Sequence, residues 1–467
     1  MKTPPTDSPA PLLLLAYQCG PGLGSVSQIG WQWFSGMAAR RPTTLLTHVR
    51  NRAAIEAEGP PPSGSEVLYI DTEWFAGPLY RLAKRCFPRS EHAVFMLSQL
   101  DWFLFDALAL RRLRQLRRDG ARWRLLHLVT PVTVSAPTRL HRLGLPVLRG
   151  PLNCGLQTPP GFEQVLQEDA LGLARLRLLP RFLEACLGSL RHSRAVLVAT
   201  AATRAALPSS VRERSLPILE NAIDPHRFEA ARPAEASQRI NPADPHSAPI
   251  LRVCFVGRLV AVKALGLLLQ AQARLLQQNI PISLEVVGDG PMRATWQAQA
   301  ESHGLSRWVR WRGALGAEAV VEAMQRCQVF CLPSVRESGG AVLLEAMACG
   351  RPVIGMNFGG PAEIVDAEVG WRIEMGSEAE AVTGLCAALE EAQAHPEEAA
   401  ARGARARERV LAQHTWQARL DAAETLYAQL LAQPQPAQPA LKDADRCAAP
   451  SVAGLAANDS RAAKARR

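Results

Sequence analysis

The 467-residue chain has no run of 18 or more apolar residues, so no helix in it is expected to span a membrane. The stretch "PLLLLAY" is short, and Lys2 is the only basic residue before it, so it reads as a first strand and not as a secretory signal. The ten cysteines are scattered; Cys327 and Cys331 lie four apart without a second pair, which argues against a zinc site and for reduced thiols in the cytosol. No period of 20–50 residues recurs, so a solenoid is not expected. Nucleic-acid motifs are missing too, and the aromatics do not interleave with the basic runs. The net charge of +10 is therefore assigned to an anionic membrane surface or to a phosphorylated substrate, with no nucleic-acid partner.

What is present is alternation. Apolar strand-like runs ("PLLLLAY", "TTLLTHV", "EVLYID", "LLHLVT", "PVLRG", "AVLVAT", "LPILENAID") fill the first half. "LRVCFVG", "ISLEVVG", "WVRWRG", "QVFCLPS" and "RPVIGM" do so in the second, separated by helical stretches such as "ALGLLLQAQARLLQQN" and "AVVEAMQRC". Such βαβ alternation predicts parallel sheets covered on both faces, an α/β chain. The polar, Pro- and Ala-rich segment 229–250 reads as a linker between domains at 11–228 and 251–413, with a ligand cleft between them. Residues 414–432 read as a last amphipathic helix and 433–467 as a disordered tail.

The most informative stretch is "RESGGAVLLEAMACGRPVIG", residues 336–355. "QVFCLPS" predicts a strand, and Ser338 is placed to cap a helix beginning near Gly339. Gly339 and Gly340 leave first-turn amides open to a phosphate. Glu345 stands between "AVLL" and "AMAC", apolar on every face, so its carboxylate needs partners. Sugar or ribose hydroxyls would satisfy it; so would a nearby arginine or a backbone amide. Glu337 near a helix start is favoured by roughly 0.3–1 kcal/mol through the helix dipole without any function. In "CFVGRLVAVKALGLLL", Arg258 and Lys263 follow a strand's carboxyl end and could neutralise a diphosphate, or be solvated surface cations. In "VVGDGP", Gly288 and Gly290 permit tight turns at another strand end.

These pieces together resemble family-4 glycosyltransferases of the GT-B fold (glycosyltransferase group 1). "FVGRL", Lys263, "VVGDGP" and "ESGG" with a second Glu eight residues after the first carry the resemblance. The family's E-G-F-G is varied here, with Ser338 and Gly339 in its middle positions. In the first half, "GSVSQIGWQW", "HLVTPVTVSAPTRLHRLGLPVLRGPL" and "TPPGF" look like a subgroup with GSEPGxGW, HHVT and GPxGGG segments, and "NAIDPHRF" like its domain junction. Val26, Ser27 and Gln28 depart from Glu-Pro-Gly there, and Asn153 to Gly155 from Gly-Gly-Gly.

The resemblance implies two Rossmann-like, doubly wound domains facing a cleft, with the 414–432 helix packing back on the first. It implies transfer of a sugar, with retention, from a nucleoside-diphosphate donor to a glycan or lipid-linked acceptor in cell-surface or extracellular polysaccharide synthesis. Arg258 and Lys263 would hold the diphosphate, with Gly288 and Gly290 lining the donor site. Glu337 would contact donor-sugar hydroxyls, Glu345 the ribose, and the backbone amides of Gly340 and Ala341 the phosphates, with Ser338 and Gly339 also in the donor site. His127 would lie near the reacting sugar, and Gly22, Gly24 and Ser25 would form an acceptor or phosphate loop. No cofactor and no metal are expected, the one D-x-D being Asp443–Asp445 in the tail. Alternatives on the same fold are a non-catalytic scaffold subunit, or a sugar-nucleotide epimerase or phosphorylase. The basic run "RRLRQLRRDGARWR", residues 111–124, with seven arginines, one acid and leucines three apart, suits a helix on an anionic membrane at the cytoplasmic face, or a solvated helix flank.

Overall fold

The computed structural model describes residues 10–87, 94, 97–154, 159–162, 184, 187–228, 238–239 and 249–433. Most of the expected linker, Gly155 of the varied loop, and the tail with Asp443 and Asp445 lie outside the described residues.

The first sheet is built from β1 (Leu12–Ala16), β2 (Thr43–His48), β3 (Glu66–Ile70), β4 (Leu125–Thr130), β5 (Val147–Leu152), β6 (Ala195–Val198) and β7 (Ser215–Pro217). They lie in the order β3-β2-β1-β4-β5-β6-β7, with parallel pairing throughout. The second sheet contains β8 (Gln238–Arg239), β9 (Pro249–Val256), β10 (Ile282–Val287), β11 (Val309–Gly313), β12 (Val329–Leu332), β13 (Val353–Met356) and β14 (Gly370–Ile373). Six of these run parallel in the order β11-β10-β9-β12-β13-β14, and β8 pairs antiparallel with the start of β9. The fold is thus α/β, with two Rossmann-like parallel-sheet domains of the GT-B kind.

Continuous apolar runs are what sheets covered on both faces require. Along β1 and the residue that follows it, Leu12, Leu14 and Ala16 face one layer and Leu13, Leu15 and Tyr17 the other, following the two-residue period of a strand. The first layer holds the Ser25–Ala38 helix, through Ile29, Trp33, Phe34 and Met37. It also holds the Trp416–Ala432 helix, which crosses back to bury Leu420, Ala423, Leu426, Tyr427 and Leu430 there. Each buried leucine contributes about 2 kcal/mol by removal from water. Arg40 pairs with Asp421 and Arg41 with Glu424 around the rim of this contact.

The second layer is covered by the Asp101–Arg118 helix, and here an expectation changes. Its Trp102, Phe105, Ala109, Leu110 and Leu113 are buried in the domain core. The apolar stripe that suggested a membrane-seated helix is consumed by the protein itself, leaving Arg111, Arg112 and Arg118 as an exposed cationic flank. "LPILENAID" also differs from expectation. β7 stops at Pro217, and Ile223 then turns to bridge Thr415, donating its N–H to His414 and accepting from Trp416. That crossing ties the exit of the first domain to the start of the last helix.

Candidate active site

In the second sheet the crossovers diverge at β9 and β12: one leads from β9 to β10, the other from β12 to β13. A crevice opens outside the carboxyl ends of strands at such a reversal. Both strand exits turn into it. After β9 the chain runs through Gly257, exposed Arg258 and Leu259 into a 3₁₀ turn, Ala261–Lys263. After β12 it runs from Pro333 to Gly340 and enters the Ala341–Ala348 helix. The amide of Val335 donates to the Val262 carbonyl at 3.0 Å, so the two exits are stitched together.

Lys263 and Glu337 meet at this seam as an ion pair between Nζ and Oε2. The other oxygen of Glu337 accepts from the Gly340 amide at 3.4 Å, and its backbone carbonyl accepts from the Gly360 amide at 2.9 Å. The acid is therefore fixed at both ends. One turn into the helix stands Glu345, whose carboxyl pKa is raised by burial and lowered in part by the nearby Arg227.

The helix begins two residues later than expected. Gly340 is its N-cap with φ of 58°, a left-handed conformation natural to glycine, and no side chain caps the turn. Ser338 does not cap it, because its hydroxyl donates to Glu220 Oε1 at 3.1 Å. Gly339 has a tertiary reason as well: a Cβ there would collide with Asn221 Nδ2 and Glu220 Oε1. Ala341 begins the helix proper. Gly288 and Gly290, at the exit of β10, are explained by close backbone approach. A Cβ on Gly288 would strike the Gly257 carbonyl, and one on Gly290 the Leu259 carbonyl. They shape the seam from behind it.

His127 is corrected by the structure. On β4 it is fully buried, with Nδ1 2.7 Å from the Tyr427 hydroxyl and Nε2 2.7 Å from the Gly150 carbonyl. A carbonyl only accepts, so Nε2 carries the proton and Nδ1 accepts from Tyr427. Both nitrogens are used, and burial lowers the pKa to about 4, so the ring is a neutral internal bolt between β4 and the last helix rather than a group near a sugar. In the exit of β1, Gly22, Gly24 and Ser25 are exposed, with Gly24 preceding the Ser25–Ala38 helix. They sit at the matching reversal of the first sheet, where β1 neighbours β4.

Sequence reasoning missed Glu220 and Asn153. Glu220 is 6% exposed and accepts from Asn153 Nδ2 at 3.0 and 3.1 Å as well as from Ser338. Its pKa is raised by burial, lowered by those two donors, and raised again by the charge of Glu337. The signal existed, since Glu220 is an acid in an apolar run just as Glu345 is, but its partners come from two other segments.

Comparison with known proteins agrees with this picture. The profile described as "Glycosyl transferases group 1" matches residues 245–409. A 2-deoxystreptamine glucosyltransferase of Streptomyces kanamyceticus is 31% identical over 182 residues, 38% of this chain and 46% of that protein. A glycogen synthase of Mycobacterium tuberculosis is 29% identical over 232 residues, 49% of this chain and 52% of that one. The chain thus spans about half the length of these curated relatives. In fold, it is similar to a sucrose-phosphate synthase from Thermosynechococcus elongatus, with a TM-score of 0.57 at 19% identity, over 91% of this chain and 100% of that one. An Anabaena protein solved with UDP and glucose gives 0.55 at 15% identity, over 90% and 100%. The sheet reversal and the acid–lysine seam thus lie in the same part of the chain, residues 245–409, that matches the glycosyl transferases group 1 model.

Proposed function

We propose that the chain transfers a sugar from a nucleoside-diphosphate donor to a glycan or lipid-linked acceptor, with retention, in the synthesis of cell-surface or extracellular polysaccharide. The observation that carries the reading is the Lys263–Glu337 pair at the β9/β12 reversal, beside exposed Arg258 and the start of the Ala341–Ala348 helix. A diphosphate seated there meets Lys263, Arg258 and the amides of Gly340 and Ala341, groups suited to growing negative charge on a leaving phosphate. Lys263 then exchanges one carboxylate for two phosphates, and Glu337 is released to accept from sugar hydroxyls. Glu345, deeper in the helix, accepts from the ribose hydroxyls that its buried charge requires.

In the step itself the bond from the anomeric carbon to the phosphate oxygen breaks. The acceptor oxygen bonds on the same face, and its proton passes to the departing phosphate. The cations Arg258 and Lys263 do the neutralising in this reading, which calls on no metal and no cofactor. The exposed Gly22–Ser25 loop, at the reversal of the first sheet, is assigned to the acceptor side. UDP and glucose in the Anabaena structure support a nucleotide-sugar donor.

The test is a panel of nucleotide sugars, scored by release of free nucleoside diphosphate and by the shift in melting temperature. One donor should raise the melting temperature and be slowly hydrolysed, and Glu337→Ala or Lys263→Ala should abolish the release. A wild-type protein that binds none of the panel would reject the reading.

A further inference from the structure

Three segments distant in sequence end on one carboxylate. Asn153 comes from the exit of β5 in the first domain, Glu220 from the crossing segment, and Ser338 from the loop that carries Glu337. We infer that Glu220 is a positioning residue: through Asn153 and Ser338 it clasps the first domain to the Glu337 loop and holds that loop in register for the donor sugar. The inference rests on the donor-site reading above.

Several facts converge on the clasp. Glu220 is nearly inaccessible, so its oxygens depend on protein donors, and each hydrogen bond to an ionised acceptor is of the stronger kind. Gly339 lies flat against Glu220 and Asn221, with no room for a Cβ, so the acid touches the loop's backbone as well as its serine. The loop's next anchor is Glu337, whose backbone carbonyl takes the Gly360 amide and whose carboxylate takes Lys263. Moving Ser338 therefore moves Glu337. The same segment is fixed one step later, where Ile223 bridges Thr415 and Arg419 donates to the Asn221 carbonyl at 3.3 Å. Glu220 thus sits where the first domain, the last helix and the donor loop meet. A displacement of the first domain at Asn153 is passed to the loop through one side chain.

A second contact between the domains, from the Ala201 amide to Glu363 Oε1 at 2.7 Å, is exposed and does not run through Glu220 or Ser338. It supplies a control.

The experiment compares Glu220→Ala, Ser338→Ala, Glu220→Gln and Glu363→Gln with wild type. Two quantities are read: the dissociation constant for nucleoside diphosphate, and kcat for the nucleotide sugar. A loop displaced by about an ångström costs on the order of 100-fold in turnover. Glu220→Ala and Ser338→Ala should lose kcat on that scale while their nucleoside-diphosphate affinity falls far less, because Lys263, Arg258 and Glu345 remain. Glu220→Gln keeps an acceptor for Ser338 and can satisfy Asn153 after an amide flip, so it should recover most of the turnover. Glu363→Gln should match wild type. Combining Asn153→Ala with Ser338→Ala should cost less than the sum of the two, since both act through Glu220.

Wild-type kcat in Glu220→Ala, or equal loss of turnover and nucleoside-diphosphate affinity, would overturn the clasp and leave the donor site standing. If the wild-type protein binds no nucleoside diphosphate, the donor-site reading fails instead. Amide hydrogen exchange then decides the clasp alone: faster exchange over 336–342 in Glu220→Ala supports it, and unchanged exchange overturns it.

Discussion

Lys263 and Glu337, 74 residues apart in sequence, share one ion pair across the seam between the exits of β9 and β12. Neither side chain is fully exposed, at 19% and 15%, so the pair is held by its surroundings as well as by charge. An isolated, partly exposed pair contributes about 1 kcal/mol or less. Its value to the fold is therefore small; in the proposed reading a diphosphate displaces the Glu337 carboxylate from Lys263.

Glu345 offers a separate test of the proposed donor site. Burial raises its pKa, and Arg227 compensates only in part. Removing the charge while keeping the shape, Glu345→Gln, relieves that desolvation. The melting temperature of the ligand-free variant should hold or rise, while nucleoside-diphosphate affinity falls by about 10- to 100-fold, the worth of hydrogen bonds to a charged acceptor. Differential scanning calorimetry with titration calorimetry checks both. A variant that binds as well as wild type would remove Glu345 from the site.

His127 should behave as a structural group. Its folded pKa of about 4 lies below the ordinary 6.5, so between these values the unfolded chain takes up a proton that the folded chain refuses. This group's stabilisation is complete above pH 6.5 and is lost as pH falls toward 4, with about 2 kcal/mol gone between pH 7 and pH 5. His127→Asn should flatten the pH dependence of urea unfolding by that amount. Tyr427→Phe leaves Nδ1 without its donor and should cost about 1–3 kcal/mol. Neither change should alter donor affinity. A loss of turnover in folded Tyr427→Phe protein would return His127 to the chemistry.

The architecture was legible because it is written in apolar runs. "LLLLA" and "LLHLVT" are buried along their whole length, as sheets covered on both faces demand. Lys263, Glu337 and the exit loops were legible because strand ends and glycines mark where backbone turns. The error at His127 came from reading a histidine beside a motif without knowing what lay behind it, and Tyr427 is 300 residues away. The amphipathic pattern of Asp101–Arg118 was legible and the domain core that covers its apolar face was not, since periodicity reports an apolar face and not what covers it. Glu220 escaped notice for the same reason, because its meaning lies in Asn153 and Ser338.

Gly339 was read as an opening for phosphate, and the structure gives it a neighbour. Gly339→Ala forces its new methyl against Glu220 and Asn221, both held by other bonds. The loop is the part that can yield. Nucleotide-sugar turnover should fall by about 100-fold with far-ultraviolet dichroism unchanged. Wild-type turnover in Gly339→Ala would show that the loop has slack that the packing denies.

The most direct measurement is titration calorimetry of ADP, GDP and UDP into wild type, Lys263→Ala and Glu337→Ala. The account predicts that one of the three nucleotides binds wild type, that Lys263→Ala weakens it by about 10- to 100-fold, the scale of a lost charged hydrogen bond. Glu337→Ala, which frees the lysine and leaves the phosphate contacts intact, should bind that nucleotide at least as tightly as wild type. Equal affinity in wild type and Lys263→Ala, or no binding by any of the three proteins, would contradict it.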